Sequence, residues 1–294
     1  MFADELPEIM NTIRGSFKIC DNAEITMEMN PADNSEEILN FALKAGVNRL
    51  SIGAQSGNDE ELKTLGRRHT AEQTTKTVQF ARDLGFNNIS LDIMLGLPHS
   101  NSETLSKSLE FITDLKPEHI SAYILKIEEN TVFHKIYDSL FLPDDDKTAE
   151  QYLQMCEHLE TKDYEHYEIS NFAKPEMASC HNLKYWKLDD YLGIGPGAHS
   201  FLDGKRFYYE RNLTSFLNGT SSIPDGIGGT KEERIMLALR LKEGLKVDFN
   251  PKLFNKCKLL EKNALLKIDD DHIILTNKGM LVSNSIITEI MECM

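Results

Sequence analysis

The chain has 294 residues, 40% of them hydrophobic and 27% charged, the composition of a globular protein with one large domain or a large and a small one. Its net charge is −15, and the acid excess lies in residues 1–229: positions 230–294 hold 11 of the 32 basic and 10 of the 47 acidic residues, a balance of +1, which leaves 21 and 37, a balance of −16, for the rest. An acidic body argues against a nucleic-acid partner, no apolar run is long enough for a membrane span, and Met1–Met10 carries acids and a proline where a signal peptide needs a basic patch and an apolar stretch, so the expected location is the cytoplasm.

In chain order, a strand is expected near residues 24–29, in AEITMEM. Two related units follow, FALKAGVNRLSIGAQ (Phe41–Gln55) and FARDLGFNNISLDIM (Phe80–Met94). Each reads as a helix end, a glycine, an apolar residue, an Asn and a strand. Gly46 and Gly85 suit the left-handed residue that closes a helix. A looser copy, FITDLKPEHISAYIL (Phe111–Leu125), has Pro117 as its stop. Strands are thus predicted near 24–29, 49–55, 88–95 and 119–125. The inferred order is helix then strand, four times over, and the helices carry apolar stripes such as Ile38, Leu39, Ala42 and Leu43. Repeated helix–strand units imply a parallel sheet with right-handed crossovers. A closed eight-stranded barrel needs more strands than these, so the fold class is α/β with an open, partial barrel. Lys147–Lys162 reads as a further helix.

Tyr167–Phe201 has no sustained period, yet it is rich in aromatics rather than in low-complexity polar residues, which predicts an ordered loop region lining a site. Gly193, Gly195 and Gly197 superficially fit a dinucleotide fingerprint. The following HSFLDGKRFYYERN reads as strand–turn–strand, not as the required helix, so the glycines are expected to serve positive backbone dihedrals or close chain approach. Ser221–Thr230 has linker composition and sets the expected domain boundary: 1–220 for the barrel and the loop region, 221–294 for a small winged-helix-like lobe. In that lobe Glu232–Leu241 is a helix, LLKIDDDHIILT two short strands, and Gly279 onward a last helix.

Ligands of parallel α/β sheets bind at the C-terminal strand ends. Glu28, Gln55 and Asp92 lie at or near three such ends, and Arg67 follows in LGRRH. Carboxylates accept from amines and hydroxyls, an amide donates and accepts, and Arg forks onto a carboxylate. The plain alternative is that such residues only end the sheet or cap a helix. Cys20, Cys156, Cys180, Cys257 and Cys293 are too scattered for a metal clamp and read as free structural thiols. His181 is a candidate iron ligand beside Tyr185 and Trp186, with a histidine simply bonded inside the loop as the alternative; His199 is a weaker candidate. His69 and His119 read as a loop and a strand-start residue with no role.

EISNFA, HNLKYW and YLGIGPGAHSF, with MEMNP, NRLSIGAQS, LGRRH, NISLDIMLGLP and HISAYILKIEE upstream and EERIMLALRLKEG and LTNKG downstream, resemble the HemW-type heme chaperones. These form part of the oxygen-independent coproporphyrinogen III oxidase-like branch of the radical S-adenosylmethionine (SAM) proteins. The resemblance implies a six-stranded partial barrel, here without its first strands, and SAM binding at Glu28, Gln55, Arg67 and Asp92. It also implies heme binding, with His181 as the candidate ligand, and transfer of heme to an unidentified acceptor protein. The family's CxxxCxxC loop and GGGTP strand are absent from these residues, so the 4Fe–4S cluster of the complete family member has no ligands here and radical chemistry is not expected. A sheet edge left open by the missing strands predicts a dimer or aggregation. Two other readings stay open: an oxygen-independent coproporphyrinogen III oxidase-like enzyme, and a degenerate, non-catalytic binding module.

Overall fold

The computed structural model describes residues 3–31 and 35–294; Met1 and Phe2, at the head of the segment read for a signal peptide, lie outside them. Contacts group the chain into Met1–Ala178 and Ser179–Met294, whereas the sequence reading put the boundary at 220/221.

The first unit opens with α1 (Leu6–Ser16), the helix expected ahead of the first strand, and then alternates. β1 (Thr26–Met29), α2 (Ser35–Ala45), β2 (Arg49–Gln55), α3 (Asp59–Thr64), α4 (Ala71–Asp83), β3 (Ile89–Leu95), α5 (Ser102–Asp114) and β4 (His119–Ile124) follow in order. After α6 (Val132–Lys135) and α7 (Asp145–Thr161) come β5 (Glu165–Glu168) and β6 (Asn171–Ala173). The sheet order is β1-β2-β3-β4-β6-β5, with β1 to β4 parallel and the β5–β6 hairpin antiparallel. The four parallel strands fall where the repeats put them. The left-handed helix ends at Gly46 (φ 84°) and Gly85 (φ 94°) recur at Lys116 (φ 52°), where the third copy has no glycine. Capping boxes start α4, at Thr70 with Gln73, and α5, at Asn101 with Thr104.

The strands have two unlike faces. Leu50, Ile52, Ala54, Ile89, Leu91, Ile93, Leu95, Ile120, Ala122 and Phe172 are all buried; they make the core, and α5 and α7 contact β3 there. Each of the Leu, Ile and Phe side chains contributes about 1.5–3 kcal/mol by leaving water. Arg49, Ser51, Ser90, Asp92, His119 and Ser121, which alternate with them, are polar.

In the second unit, α8 (Cys180–Lys187) is followed by a sheet of β7 (His199–Leu202), β8 (Lys205–Tyr208) and β9 (Ile223–Ile227), with α9 (Leu213–Leu217) between the last two. The expected loop region therefore contains a helix, started by Ser179, whose hydroxyl accepts from the Asn182 N–H. The expected linker contains a strand: the pairing of β9 with β8 overrides the Gly/Pro-rich composition. Gly193 does serve close approach, since a Cβ there would collide with the His199 carbonyl oxygen.

The rest of the unit runs α10 (Lys231–Ala238), β10 (Leu245–Lys246), α11 (Pro251–Lys262), β11 (Leu266–Asp269), β12 (His272–Leu275), α12 (Asn277–Leu281) and α13 (Ser283–Met291), with β10, β12 and β11 in one sheet. Helix α10, the β11–β12 hairpin and the closing helices α12 and α13 follow the winged-helix-like order read from the sequence, and α11 and β10 were not read. Among the described residues no helix is long and apolar enough to cross a membrane.

Candidate functional site

The polar face of the six-stranded sheet is built by register. Glu28 pairs with Ser51 across β1 and β2, Ser51 with Ser90 across β2 and β3, and Asp92 with Ser121 across β3 and β4. Because registered partners in a parallel ladder share a face, these side chains meet on one side. The Ser51 hydroxyl donates to Asp92 Oδ1 at 3.4 Å. Burial raises the Asp92 pKa to about 6 and the Glu28 carboxylate adds to the rise, opposed by hydrogen bonds from Ser121 and Ser51. Tyr123, two residues beyond Ser121, also has its pKa raised, first by burial and then by Asp92. Asp92 is the fourth of seven residues in β3, so it lies deeper than the strand end expected for it.

Gln55 and Arg67 sit at the end of this face. The ladder slips between Ile52 and Gln55, and Gln55 has φ 69°. That left-handed region is uncommon for a residue with a Cβ, and residues held there gather at ligand sites. Gln55 is buried, and its Nε2 is 2.8 Å from the point a Cβ on Gly53 would occupy. Arg67, just after α3, donates from Nη1 to Asn30 Oδ1 at 3.1 Å. Asn30, which follows β1, was not singled out in the sequence; its place one residue before Pro31, in the same MEMNP run as Glu28, was the available signal.

Deeper on the same face lies a second polar tier that sequence reasoning missed. His119, given no role, is fully buried, with Nδ1 2.8 Å from the Ser90 hydroxyl and Nε2 2.8 Å from the Tyr167 hydroxyl. Burial, helped by the positive charge of Arg49, lowers its pKa to about 3, so the ring is neutral. Arg49 is itself buried, with Nε 3.9 Å from a Glu24 carboxylate oxygen. A strand-start histidine carries no periodic signal of such a role; only the register with Ser90 reveals it. His69 is structural: buried, with Nε2 3.1 Å from the Ala54 carbonyl oxygen.

Beyond the strand ends a cavity of about 830 Å³ is lined by Gly96, Ile124, Leu125, Tyr137, Leu140 and Leu142, among others. Ile124 ends β4, Gly96 follows β3, and Asp145, Lys147 and Thr148 at the start of α7 also line it.

In the second unit, His181 sits in the first turn of α8 and is exposed. Its Nε2 is 2.8 Å from the Tyr185 hydroxyl, one helical turn on, and the two rings meet edge to face at 4.9 Å. Tyr185 in turn packs against Tyr191 at 4.6 Å. Arg240 lies over the Trp186 ring at 4.9 Å, so Trp186 faces a cation. His199 stacks on Tyr208 instead.

The sequence profile of the radical SAM superfamily matches residues 3–112, and that of the HemN C-terminal domain matches residues 231–282. A Bacillus subtilis protein named "Heme chaperone HemW" is 35% identical over 96% of this chain and 80% of its own length. The chain belongs to the HemW family. The Lactococcus lactis member is 32% identical over 97% of this chain and 79% of its own. In fold, HemW-type architecture matches that of a solved radical SAM enzyme, the coproporphyrinogen III oxidase HemN from Escherichia coli. That structure covers 99% of this chain and 74% of its own with a TM-score of 0.80 at 20% identity, and the shared partial barrel agrees with the mixed sheet seen here.

Membership of the radical SAM superfamily implies SAM and an iron–sulfur cluster. The polar face fits SAM: two carboxylates, an amide and a guanidinium answer an amine, hydroxyls and a carboxylate. The cluster does not fit these residues. Among the described residues no group of three or more His, Cys, Asp and Glu side chains is arranged to hold a metal; Cys156, Cys257 and Cys293 are buried thiols and Cys20 and Cys180 exposed ones.

Proposed function

We propose that this chain binds heme and hands it to an acceptor protein, with SAM as a second ligand on the polar face of the sheet. The observation that carries the heme reading is the 35% identity, along nearly the whole chain, to a protein named a heme chaperone. Glu28 and Asp92 accept from the amine and the ribose hydroxyls, Gln55 donates and accepts, and Arg67 takes the carboxylate. The location that goes with this reading is the cytoplasm.

His181 is the proposed iron ligand, with the α8 aromatics as apolar wall and Lys184 for a propionate; Lys187 already pairs with Glu243 at 3.0 Å. The Tyr185 hydroxyl sits on His181 Nε2, so ligation through that nitrogen breaks a hydrogen bond. Titration of hemin tests this. His181→Ala weakens binding and alters the Soret band, Tyr185→Phe strengthens binding about two- to tenfold by removing the competitor, and His272→Ala changes neither. Equal Soret shifts and affinities in His181→Ala and the parent would sink the ligand assignment. The proposal also includes self-association through β1, which lies at one edge of the sheet; a monomer by light scattering counts against that part.

A further inference from the structure

Asn30 Oδ1 accepts from Arg67 Nη1 at 3.1 Å. The same oxygen lies 2.9 Å from the point where a Cβ on Gly53 would stand, and Gln55 Nε2 lies 2.8 Å from that point. Two amide side chains therefore converge on the space of one missing side chain, and a guanidinium is tied to one of them. Gly53 does not have a positive φ, so its backbone accepts any residue and only the crowding requires glycine. Pro31 restricts Asn30 to extended backbone, which fixes the direction in which its side chain leaves the end of β1.

We infer that Asn30 is a positioning residue for the ligand site: it holds the Arg67 guanidinium at the strand ends and shares with Gln55 the room that Gly53 leaves. The inference rests on the assignment of Gln55 and Arg67 to the ligand. A long arginine side chain loses rotamer freedom when it is fixed, and a fixed partner lowers what the ligand must supply. A neutral amide does this without consuming the charge. A carboxylate at position 30 would hold the arginine as well, but it would compete with the ligand's own carboxylate. The crowding at Gly53 ties the two amides together, so that moving one moves the other.

The first measurement needs no ligand. Nitrogen-15 spectra of the Arg67 side chain in the 294-residue protein should show slowed guanidinium rotation, retained in Asn30→Asp and lost in Asn30→Ala and Gly53→Ala, with unchanged melting of the exposed-site variant Asn30→Ala. The second is calorimetry with SAM. Asn30→Ala weakens binding about three- to tenfold, the worth of one hydrogen bond, and has no further effect once Arg67→Ala is present. Asn30→Asp weakens binding although Arg67 stays held. An Arg67 signal indifferent to Asn30→Ala, or additive losses in the Asn30→Ala/Arg67→Ala pair, would overturn the inference. If the parent fails to bind SAM while the Arg67 signal responds as stated, the positioning role stands and the SAM assignment falls.

Discussion

The same four parallel strands carry two faces that obey opposite rules. On one, Leu50, Ile52, Leu91, Ile93 and Ile120 are closed off from solvent and ask nothing of their neighbours beyond volume. On the other, Arg49, Ser90, His119 and Ser121 are buried and Asp92 half-buried while still ionisable or hydrogen-bonding, so each needs a partner at a set distance. A strand two residues out of register would keep the first face and ruin the second. The apolar face therefore accounts for stability, and the polar face for what the molecule can hold. The raised pKa of Asp92 shows the tension directly: burial beside Glu28 opposes the charge that makes Asp92 useful to a cationic ligand.

The sharpest way to break the contrast is to remove volume from the apolar face. Leu91 is fully buried, and Leu91→Ala should cost about 2–5 kcal/mol by denaturant melts, the range for a cavity in a closed core. SAM affinity, measured where the variant is still folded, should stay within twofold, because Leu91 points away from Glu28 and Asp92. A variant that lost binding in proportion to stability would show that the two faces are not separable.

Asp92→Asn probes the opposite face, with a smaller and pH-dependent effect. The folded-state pKa of about 6 lies above the ordinary value of 3.8. Between those two pH values the native state holds more protons than the unfolded state, so the parent loses stability as pH rises through the window and the loss is complete above it. Asn carries no charge, so the melting temperature of Asp92→Asn should gain on the parent from about pH 4 to about pH 6 and then keep its lead. SAM binding should move the other way: it strengthens in the parent as pH climbs through about 6 and is weaker and flat in the variant. Parallel melting curves for the two proteins across that window would contradict the burial of the carboxylate.

How far the sequence carries depends on which kind of information an element needs. Strands β2, β3 and β4 are legible because a glycine-ended helix and an apolar run recur. Even Lys116, which takes the left-handed position without being glycine, is flagged by the Pro117 that follows. Glu28, Gln55 and Asp92 are legible as polar groups at or near strand ends and Arg67 as a cation in the LGRRH run, and the structure puts Glu28 and Asp92 on one face with Ser51 between them. The hold of Asn30 on Arg67 and the buried His119–Ser90 pair depend on contacts between residues 37 and 29 positions apart. Local pattern is silent on such contacts. Helix α8 was hidden for a different reason: eight residues with a mixed face give too few turns for a period to stand out, and its Ser179 cap is one serine among many.

The finest test of the polar face ranks its two serines. Both donate to the Asp92 carboxylate and so favour its ionised form; of the two, Ser121 opposes the pKa rise more strongly, and the Ser51 contact is long at 3.4 Å. Removing either hydroxyl should push the Asp92 pKa further up. Ser121→Ala should give the larger rise and Ser51→Ala the smaller one, because a stretched hydrogen bond to a partly hydrated carboxylate is weak. Carbon-13 titration of the Asp92 carboxyl reads both shifts. The order is the informative part. Ser121 stands directly opposite Asp92 in the β3–β4 ladder, whereas Ser51 stands opposite Ser90 and reaches Asp92 diagonally. A Ser51→Ala shift equal to or larger than that of Ser121→Ala would mean that the carboxylate leans toward β1 and Glu28 rather than toward β4, and the polar face would have to be rebuilt around that pairing.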